Sequence, residues 1–227
     1  MRYKLAPSIL SADFARLGEE VGAIAPFSDI VHVDVMDGHF VPPITIGPVV
    51  VEALRRVTDL PLECHLMVTE PENQIEQFAE AGGSSVVWHL EASGASPVPI
   101  LERARSLGLG AGLAINPRTG FDDVAPHCES IDTLICMTVN PGWAGQKFLA
   151  EVLPKIEQAR EFFQRHGLGA DLAVDGGVDL RTGRRALDAG ANVLGAASAI
   201  FKAPDPPGAA KALRSLLEEF GAIPGSA

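Results

Sequence analysis

The feature that most constrains the fold is an alternation of strand-like and helix-like segments that recurs eight times. Short apolar runs rich in Val, Ile and Leu alternate with longer segments whose apolar residues recur at helical spacing. The repeat, roughly 25–30 residues long, is typical of an α/β (β/α)8 TIM barrel. A doubly wound open sheet is the alternative, but it usually has fewer units and a GxGxxG after its first strand, which is absent here.

The predicted elements share this regular order, each strand being followed by one helix. We predict strands over residues 4–8, 30–36, 62–68, 85–90, 109–115, 133–139, 171–174 and 193–197. We predict helices over residues 14–24, 49–56, from 71 to about 82, 98–106, 121–125, 147–166, 180–189 and 209–220.

Composition narrows the class of protein. The 227 residues fit one barrel domain, 1–227, and 47% hydrophobic residues suffice for a full core. The net charge of −11 argues against nucleic acid or an anionic membrane as partner. Three cysteines without a CxxC, no signal-like N-terminus and no run of about 18 apolar residues lead us to expect a cytoplasmic protein.

The predicted strand at 30–36 carries functional side chains on one face. Because side chains alternate along a strand, His32, Asp34 and Met36 point the same way. A buried Asp needs a hydrogen bond, an ion pair or a metal. Taken alone, the pattern fits either a hydrogen-bonded pair in the core or two metal ligands.

Other predicted strand ends favour the metal. His65 and Asp175 end the third and seventh strands, and barrel sites form where strands end. His32, Asp34, His65 and Asp175 together suit one divalent cation, with zinc the first choice and Fe(II), Mn(II) and Co(II) open. We expect His89 to support this set from behind or to pack in the core. Cys64 and Cys136 lie on the opposite strand face and are expected to pack.

Two further features indicate an anionic, phosphorylated substrate. Met36, Met67 and Met137 all sit near strand ends, which predicts an apolar lining around the reacting centre. Glycine-bearing loops at residues 142–145, 175–178 and 195–198 occupy the usual phosphate position of this fold. No Arg or Lys is obviously placed there, so backbone amides would hold the phosphate.

Residues 7–14, 32–42, 64–68, 140–148 and 174–178 resemble the ribulose-phosphate 3-epimerase family. The resemblance extends over nearly the whole chain and implies the ribulose-phosphate-binding type of barrel. It implies metal ligation by His32, Asp34, His65 and Asp175, with Asp34 and Asp175 as the acid–base pair. The implied substrate contacts are Ser8, Met36, His65, Met67, Met137, Gly142, Trp143, Ala144, Gly145, Gly176, Gly177, Ala197 and Ser198.

Four positions depart from the family pattern. Pro43 replaces an asparagine, Ala144 and Ala197 each replace a glycine, and Gly120 stands where proline is typical. Backbone amides survive a change from Gly to Ala, provided that the residue avoids positive φ. The departures concern substrate identity and leave the four metal ligands untouched.

The function that follows is a metal-dependent, reversible epimerisation at C3 of D-ribulose 5-phosphate to D-xylulose 5-phosphate through a metal-stabilised enediolate. This chemistry needs two acid–base groups on opposite faces of the substrate. The resemblance implies an isomerase of pentose phosphate metabolism and a homo-oligomer, with a dimer and a hexamer both open.

Three alternatives stay open at this point. The first is the same chemistry on a phosphorylated hexulose such as D-allulose 6-phosphate. The second is an aldolase or decarboxylase on a similar barrel, for which the sequence lacks a lysine at a predicted strand end. The third is a non-catalytic sugar-phosphate binding protein.

Overall fold

The computed structural model of the chain describes residues 2–222, so Met1 and residues 223–227, at the ends of the predicted 1–227 domain, lie outside the described residues. Within this range eight parallel strands form one sheet. They are β1 (Lys4–Pro7), β2 (Val31–Met36), β3 (Leu62–Met67), β4 (Ser85–His89), β5 (Gly110–Ile115), β6 (Thr133–Met137), β7 (Asp171–Asp175) and β8 (Val193–Ala196).

The sheet curls into a nearly closed barrel. Its hydrogen-bonded order is β1-β8-β7-β6-β5-β4-β3-β2, and the two ends of that order meet through a parallel bridge between Ser8 and His32. The predicted (β/α)8 TIM barrel is therefore confirmed.

Because side chains alternate along a strand, each strand contributes to two apolar regions, the layer between sheet and helices and the interior of the barrel. Val31, Val33 and Val35 of β2 belong to the large apolar layer between sheet and helices. The barrel interior is filled lower down by small and branched residues such as Ala6, Val87 and Ile135. The opposite face of β2, which carries His32, Asp34 and Met36, therefore points into the barrel.

Helices cover the outside of the sheet. They are α1 (Leu17–Ile24), α2 (Pro48–Arg55), α3 (Ile75–Glu80), α4 (Val98–Ser106), α5 (Phe121–Val124), α6 (Leu153–His166), α7 (Leu180–Asp188), α8 (Ser198–Phe201) and α9 (Pro206–Gly221). Asp179 caps α7 by accepting from the N–H groups of Arg181 and Thr182, and Gly167 ends α6 at φ 65°.

The prediction of a helix over residues 147–166 was wrong at its start. Residues 147–149 are not helical, Ala150–Val152 form a 3₁₀ turn, and α6 begins only at Leu153. The N–H of Leu149 donates to the carbonyl of Thr138 at 2.8 Å, which ties this segment to the end of β6. Pro154 lies in the first turn of α6, where its missing N–H costs nothing.

Other boundaries shift in the same way. The first strand ends at Pro7, in agreement with the prediction, but 3₁₀ turns that were not predicted follow it and also precede α1 and α3. The last helix begins at Pro206 rather than at residue 209, because the Asp205 carboxylate caps the N–H of Gly208. The short helix α8 was not predicted.

Among residues 2–222, no helix combines the length and the hydropathy that crossing a bilayer requires.

Candidate active site and metal centre

The four predicted ligands meet inside the upper barrel. One donor atom from each of His32, Asp34, His65 and Asp175 lies within 4.8 Å of every other. The Asp34 Oδ1 atom is 3.3 Å from His32 Nε2 and 3.1 Å from His65 Nδ1. The Asp175 Oδ2 atom is 4.0 Å and 3.8 Å from the same two nitrogens.

This geometry fits a divalent cation. Bonds of about 2.0–2.1 Å in a tetrahedron place neighbouring donor atoms about 3.3 Å apart. The two ring nitrogens, His32 Nε2 and His65 Nδ1, face each other at 3.3 Å, as ligands of one ion do. Because β2, β3 and β7 supply the ligands, the site draws on both sides of the barrel mouth.

The sequence analysis did not identify Glu63, which stands beneath this cluster. Glu63 pairs with His32 across the β2–β3 register, and its Oε1 atom is 3.0 Å from His32 Nδ1. It is 4% exposed, so this hydrogen bond is shielded from water. The alternation in β3 could have found it, since Glu63, His65 and Met67 share one face.

His89 stands behind the cluster, as expected, and is not one of the four grouped residues. Its Nε2 atom is 3.0 Å from His65 Nε2, on the side of the ring that faces away from Asp34. Cys64 and Cys136 are buried in the layer between sheet and helices. Burial raises the pKa of each thiol to about 12, which makes both of them packing groups.

Ser8 supports the site from β1. Its hydroxyl donates to the Oδ2 atom of Asp34, and its side chain also accepts from the N–H of Leu10. Ser8 and His65 are fully buried. A direct contact of either residue with substrate stays a prediction.

The two carboxylates differ in protonation. His32 and His65 outweigh the effect of burial and hold the pKa of Asp34 well below its usual range. Burial, together with repulsion from Asp34, raises the pKa of Asp175. Without metal, a proton shared by the pair therefore resides on Asp175 rather than on Asp34, an asymmetry that suits acid–base chemistry.

The two histidines also differ. Burial lowers the pKa of His32, but Asp34, Glu63 and Asp175 outweigh it and raise that pKa well above its ordinary value. Burial lowers the pKa of His65 to about 4 despite its bond with Asp34. In the metal-free site, protonation is therefore favoured at His32 over His65.

A cleft opens above the cluster and brings together most of the predicted contacts. Met36, Met67 and Met137 line it, and each is at most 3% exposed. The predicted phosphate-holding residues line it as well: Gly142, Trp143, Ala144, Gly145, Gly176, Gly177, Ala197 and Ser198. No Lys or Arg occurs among the described lining residues.

The backbone explains which loop positions need glycine. Gly176 and Gly177 have φ of 110° and 66°, and a Cβ on Gly177 would lie 2.6 Å from the Phe148 nitrogen. Ala144 and Ala197, which replace family glycines, both avoid positive φ. The replacements therefore add no left-handed strain to the loop backbone.

Thr138 ties the end of β7 in place, a role that the sequence analysis missed. Its hydroxyl lies 2.9 Å from the carbonyl oxygen of Asp175 and 2.6 Å from that of Gly176. Its N–H also donates to the Asp175 carbonyl at 2.7 Å. Thr138 thereby positions both the predicted acid–base residue Asp175 and a predicted phosphate loop.

Comparison with known proteins agrees with this geometry. Residues 4–201 match the ribulose-phosphate 3 epimerase family. The chain is 46% identical to the ribulose-phosphate 3-epimerases of Synechocystis sp. over 206 residues (88% of each protein) and of Bacillus subtilis over 208 residues (89% of this chain, 94% of the relative). The structure of 3-hexulose-6-phosphate synthase from Salmonella typhimurium, with 18% identity and a TM-score of 0.72 over 95% of this chain and 99% of that one, shares the fold. The chain belongs to the ribulose-phosphate 3-epimerase family.

Proposed function

We propose that this chain, an isomerase by its family, interconverts D-ribulose 5-phosphate and D-xylulose 5-phosphate with a bound divalent metal. The observation that carries the proposal is the pairing of Asp34 and Asp175. Their donor oxygens lie within 4.8 Å of each other on strands from different sides of the mouth, and their pKa values are shifted in opposite directions.

Inversion at C3 needs one proton removed and another delivered to the opposite face. The ionised Asp34 takes the C3 proton, and the protonated Asp175 delivers its own proton from the other side. This transfer leaves Asp34 protonated and Asp175 ionised, which is the starting state for the reverse reaction. Another turnover in the same direction requires both carboxyl groups to re-equilibrate with solvent.

The other residues bind and enclose the substrate. His32, Asp34, His65 and Asp175 would hold the metal, which when bound supplies Lewis-acid stabilisation of negative charge on the substrate oxygens. The three methionines pack against the planar intermediate and exclude water. Backbone amides of the glycine loops hold the phosphate, which suits a cleft without basic side chains in a chain of net charge −11.

The test is a coupled epimerase assay combined with NMR detection of C3 exchange in deuterated water. The metal-loaded protein is expected to form xylulose 5-phosphate and to incorporate solvent deuterium at C3. The Asp175→Asn variant is expected to lose about 10²–10⁴-fold in kcat. Its metal content is measured in parallel, so that loss of metal and loss of acid–base chemistry are separated.

Asp171→Asn is the matched control because Asp171 lies at the other end of the same strand. Wild-type-like turnover by metal-loaded Asp175→Asn would rule out the two-carboxylate mechanism. Comparison of kcat/KM for ribulose 5-phosphate and for a hexulose 6-phosphate decides between the two substrate classes.

A further inference from the structure

A line of polar side chains leads from the candidate metal centre to a loop outside the barrel. His65 Nδ1 faces the other ligand atoms, and its Nε2 atom lies 3.0 Å from His89 Nε2. The remaining nitrogen of His89, Nδ1, is 3.3 Å from the Oε2 atom of Glu91. His65 and His89 are completely buried, so bulk solvent does not reach these nitrogens.

The buried nitrogen His89 Nδ1 has no well-formed hydrogen bond among the described residues. Glu91 is the acidic group placed beside it, and the angle rather than the distance falls short. A buried polar atom of this kind calls for an explanation. The reaction assigned above uses neither His89 nor Glu91.

The direction of the hydrogen bonds along this line is set at its two ends. A neutral imidazole carries one N–H and one lone pair. If His65 offers its Nδ1 lone pair to a cation, its proton is on Nε2 and is donated to His89 Nε2. The proton of His89 then lies on Nδ1 and points at the Glu91 carboxylate.

The opposite direction prevents metal binding. His65 would then carry its proton on Nδ1, towards Asp34, and His89 would donate from its Nε2 atom to His65. This leaves the Nδ1 lone pair of His89 against the carboxylate oxygens of Glu91, which repel it. An ionised Glu91 therefore selects the direction that frees His65 Nδ1.

Glu91 is held in place for this role from the following strand's loop. Its Oε1 atom accepts from the N–H of Asn116 at 2.8 Å and from the hydroxyl of Thr119. Burial alone would raise the pKa of Glu91, but the neighbouring His89 ring and the bonds from Thr119 and Asn116 outweigh burial and lower that pKa to about 2. The carboxylate is thus ionised and fixed near neutral pH.

We propose that Glu91 is a positioning residue of the metal centre, which acts through His89 to keep the Nδ1 lone pair of His65 directed at the cation. This inference rests on the proposed metal-dependent function. It adds an outer carboxylate, two side chains away from the ligand, to the residues on which metal affinity depends.

The test uses Glu91→Gln, a substitution of equal size. A glutamine amide can donate to His89 Nδ1 and so stabilises the direction that blocks the metal. We expect the dissociation constant for Zn²⁺, measured by competition with a chromophoric chelator, to rise about 10-fold or more. In the metal-free variant, ¹⁵N NMR of the His89 ring is expected to show the proton moved from Nδ1 towards Nε2.

Asp123→Asn is the matched control. Asp123 accepts from the N–H of Gly120 in the same loop but does not bond His89 among the described contacts. The Asp123→Asn substitution removes one negative charge near Glu91 and leaves Glu91 itself in place. The Zn²⁺ affinity of this variant should therefore remain near that of the wild type.

Each outcome decides the matter. Unchanged Zn²⁺ affinity in Glu91→Gln, or an equal loss in Asp123→Asn, overturns the inference and leaves the proposed function standing. If Glu91→Gln does not fold, the zinc-loaded wild type still tests the inference: its His89 must carry the proton on Nδ1, and a proton on Nε2 overturns it. A wild-type protein that binds no divalent metal overturns both this inference and the proposed function.

Discussion

The Oε1 atom of Glu63 lies 3.0 Å from the Nδ1 atom of His32, and neither side chain is more than 5% exposed. Register pairing of β2 with β3 sets this contact, so the carboxylate is built into the barrel wall. It holds the His32 ring with Nε2 turned to the other ligands. Such carboxylate–histidine pairs stiffen a metal ligand and raise its basicity.

Glu63→Gln is therefore expected to weaken zinc binding by about 10–100-fold. Competition with a chelator measures the change, and the far-UV spectrum of the metal-free variant checks the fold. Asp171→Asn is the control, since Asp171 is also a partly shielded carboxylate of the lower barrel but bonds Lys4 and Asn192 instead. An equal loss of affinity in both variants would contradict a specific role for Glu63.

Metal binding is expected to release at least one proton near neutral pH. The raised pKa of His32 means that the metal-free site holds a proton where the cation must bind. Because the pKa of Asp175 is raised as well, zinc affinity should rise by at least tenfold per pH unit while either residue holds its proton and level off once both are deprotonated. Calorimetry in buffers of different ionisation enthalpy counts the protons, and a count of zero at pH 7 would contradict the assignment.

The same proton makes the metal-free fold less stable as the pH rises, whereas zinc affinity increases with pH. Because the folded-state pKa of His32 lies above its unfolded value, its stabilising contribution is fully present below pH 6.5. That contribution is lost as the pH rises through the folded-state pKa. The metal-free protein should therefore unfold at lower denaturant concentration at pH 9 than at pH 6, other groups being equal, and His32→Gln should reduce the difference.

Gly177→Ala is expected to disrupt phosphate binding. Its Cβ would lie 2.6 Å from the Phe148 nitrogen and 2.9 Å from the Gln146 carbonyl oxygen, at a φ of 66°. Backbone on both sides must move, so KM for the sugar phosphate should rise about tenfold or more, equivalent to about 1.4 kcal/mol.

Gly145→Ala provides the comparison for this loop pair. Gly145 also has positive φ, 77°, but a Cβ there meets no heavy atom within 4 Å. Its cost is confined to left-handed strain of about 1–2 kcal/mol. Equal KM changes in the two variants would show that steric contact with residues 146–148 is not what matters.

Thr138→Val is expected to cost about 0.5–1.5 kcal/mol of unfolding free energy, because it removes the hydroxyl bonds to the carbonyls of Asp175 and Gly176 but keeps the N–H bond to Asp175. The kcat should fall as well, since Asp175 loses part of its tether. Denaturant unfolding and steady-state kinetics measure the two effects. Thr138→Ser keeps the hydroxyl, and kcat in that variant should stay closer to that of the wild type.

The barrel and the clustering of the four candidate metal ligands could be predicted because both depend on local periodicity. The alternation within β2 placed His32, Asp34 and Met36 on one face, and the rule that strand ends converge brought His65 and Asp175 to them. Only the alternation of side chains within each strand and the order of the strands were needed for this prediction.

Other features depend on contacts that a linear pattern does not contain. The start of α6 was misplaced because the contact of Leu149 with Thr138 outweighs local helical preference. Glu63 shares the face of His65 but was not predicted, because it lies at the start of β3 and the prediction considered only the strand ends where barrel sites form. Glu91 lies in a 3₁₀ turn directly after β4, where no strand or helix periodicity relates it to His89 and Asn116.

The bridge between Ser8 and His32 links closure of the barrel to the candidate metal centre. It closes the ring where β1 and β2 meet, and the Ser8 hydroxyl fastens the same join to Asp34. The join between β1 and β2, which rests on a single bridge, therefore involves two of the candidate metal ligands, His32 and Asp34. If His32 and Asp34 bind the ion as proposed, we expect its removal to loosen this join, and amide hydrogen exchange should increase here before any other strand pair opens.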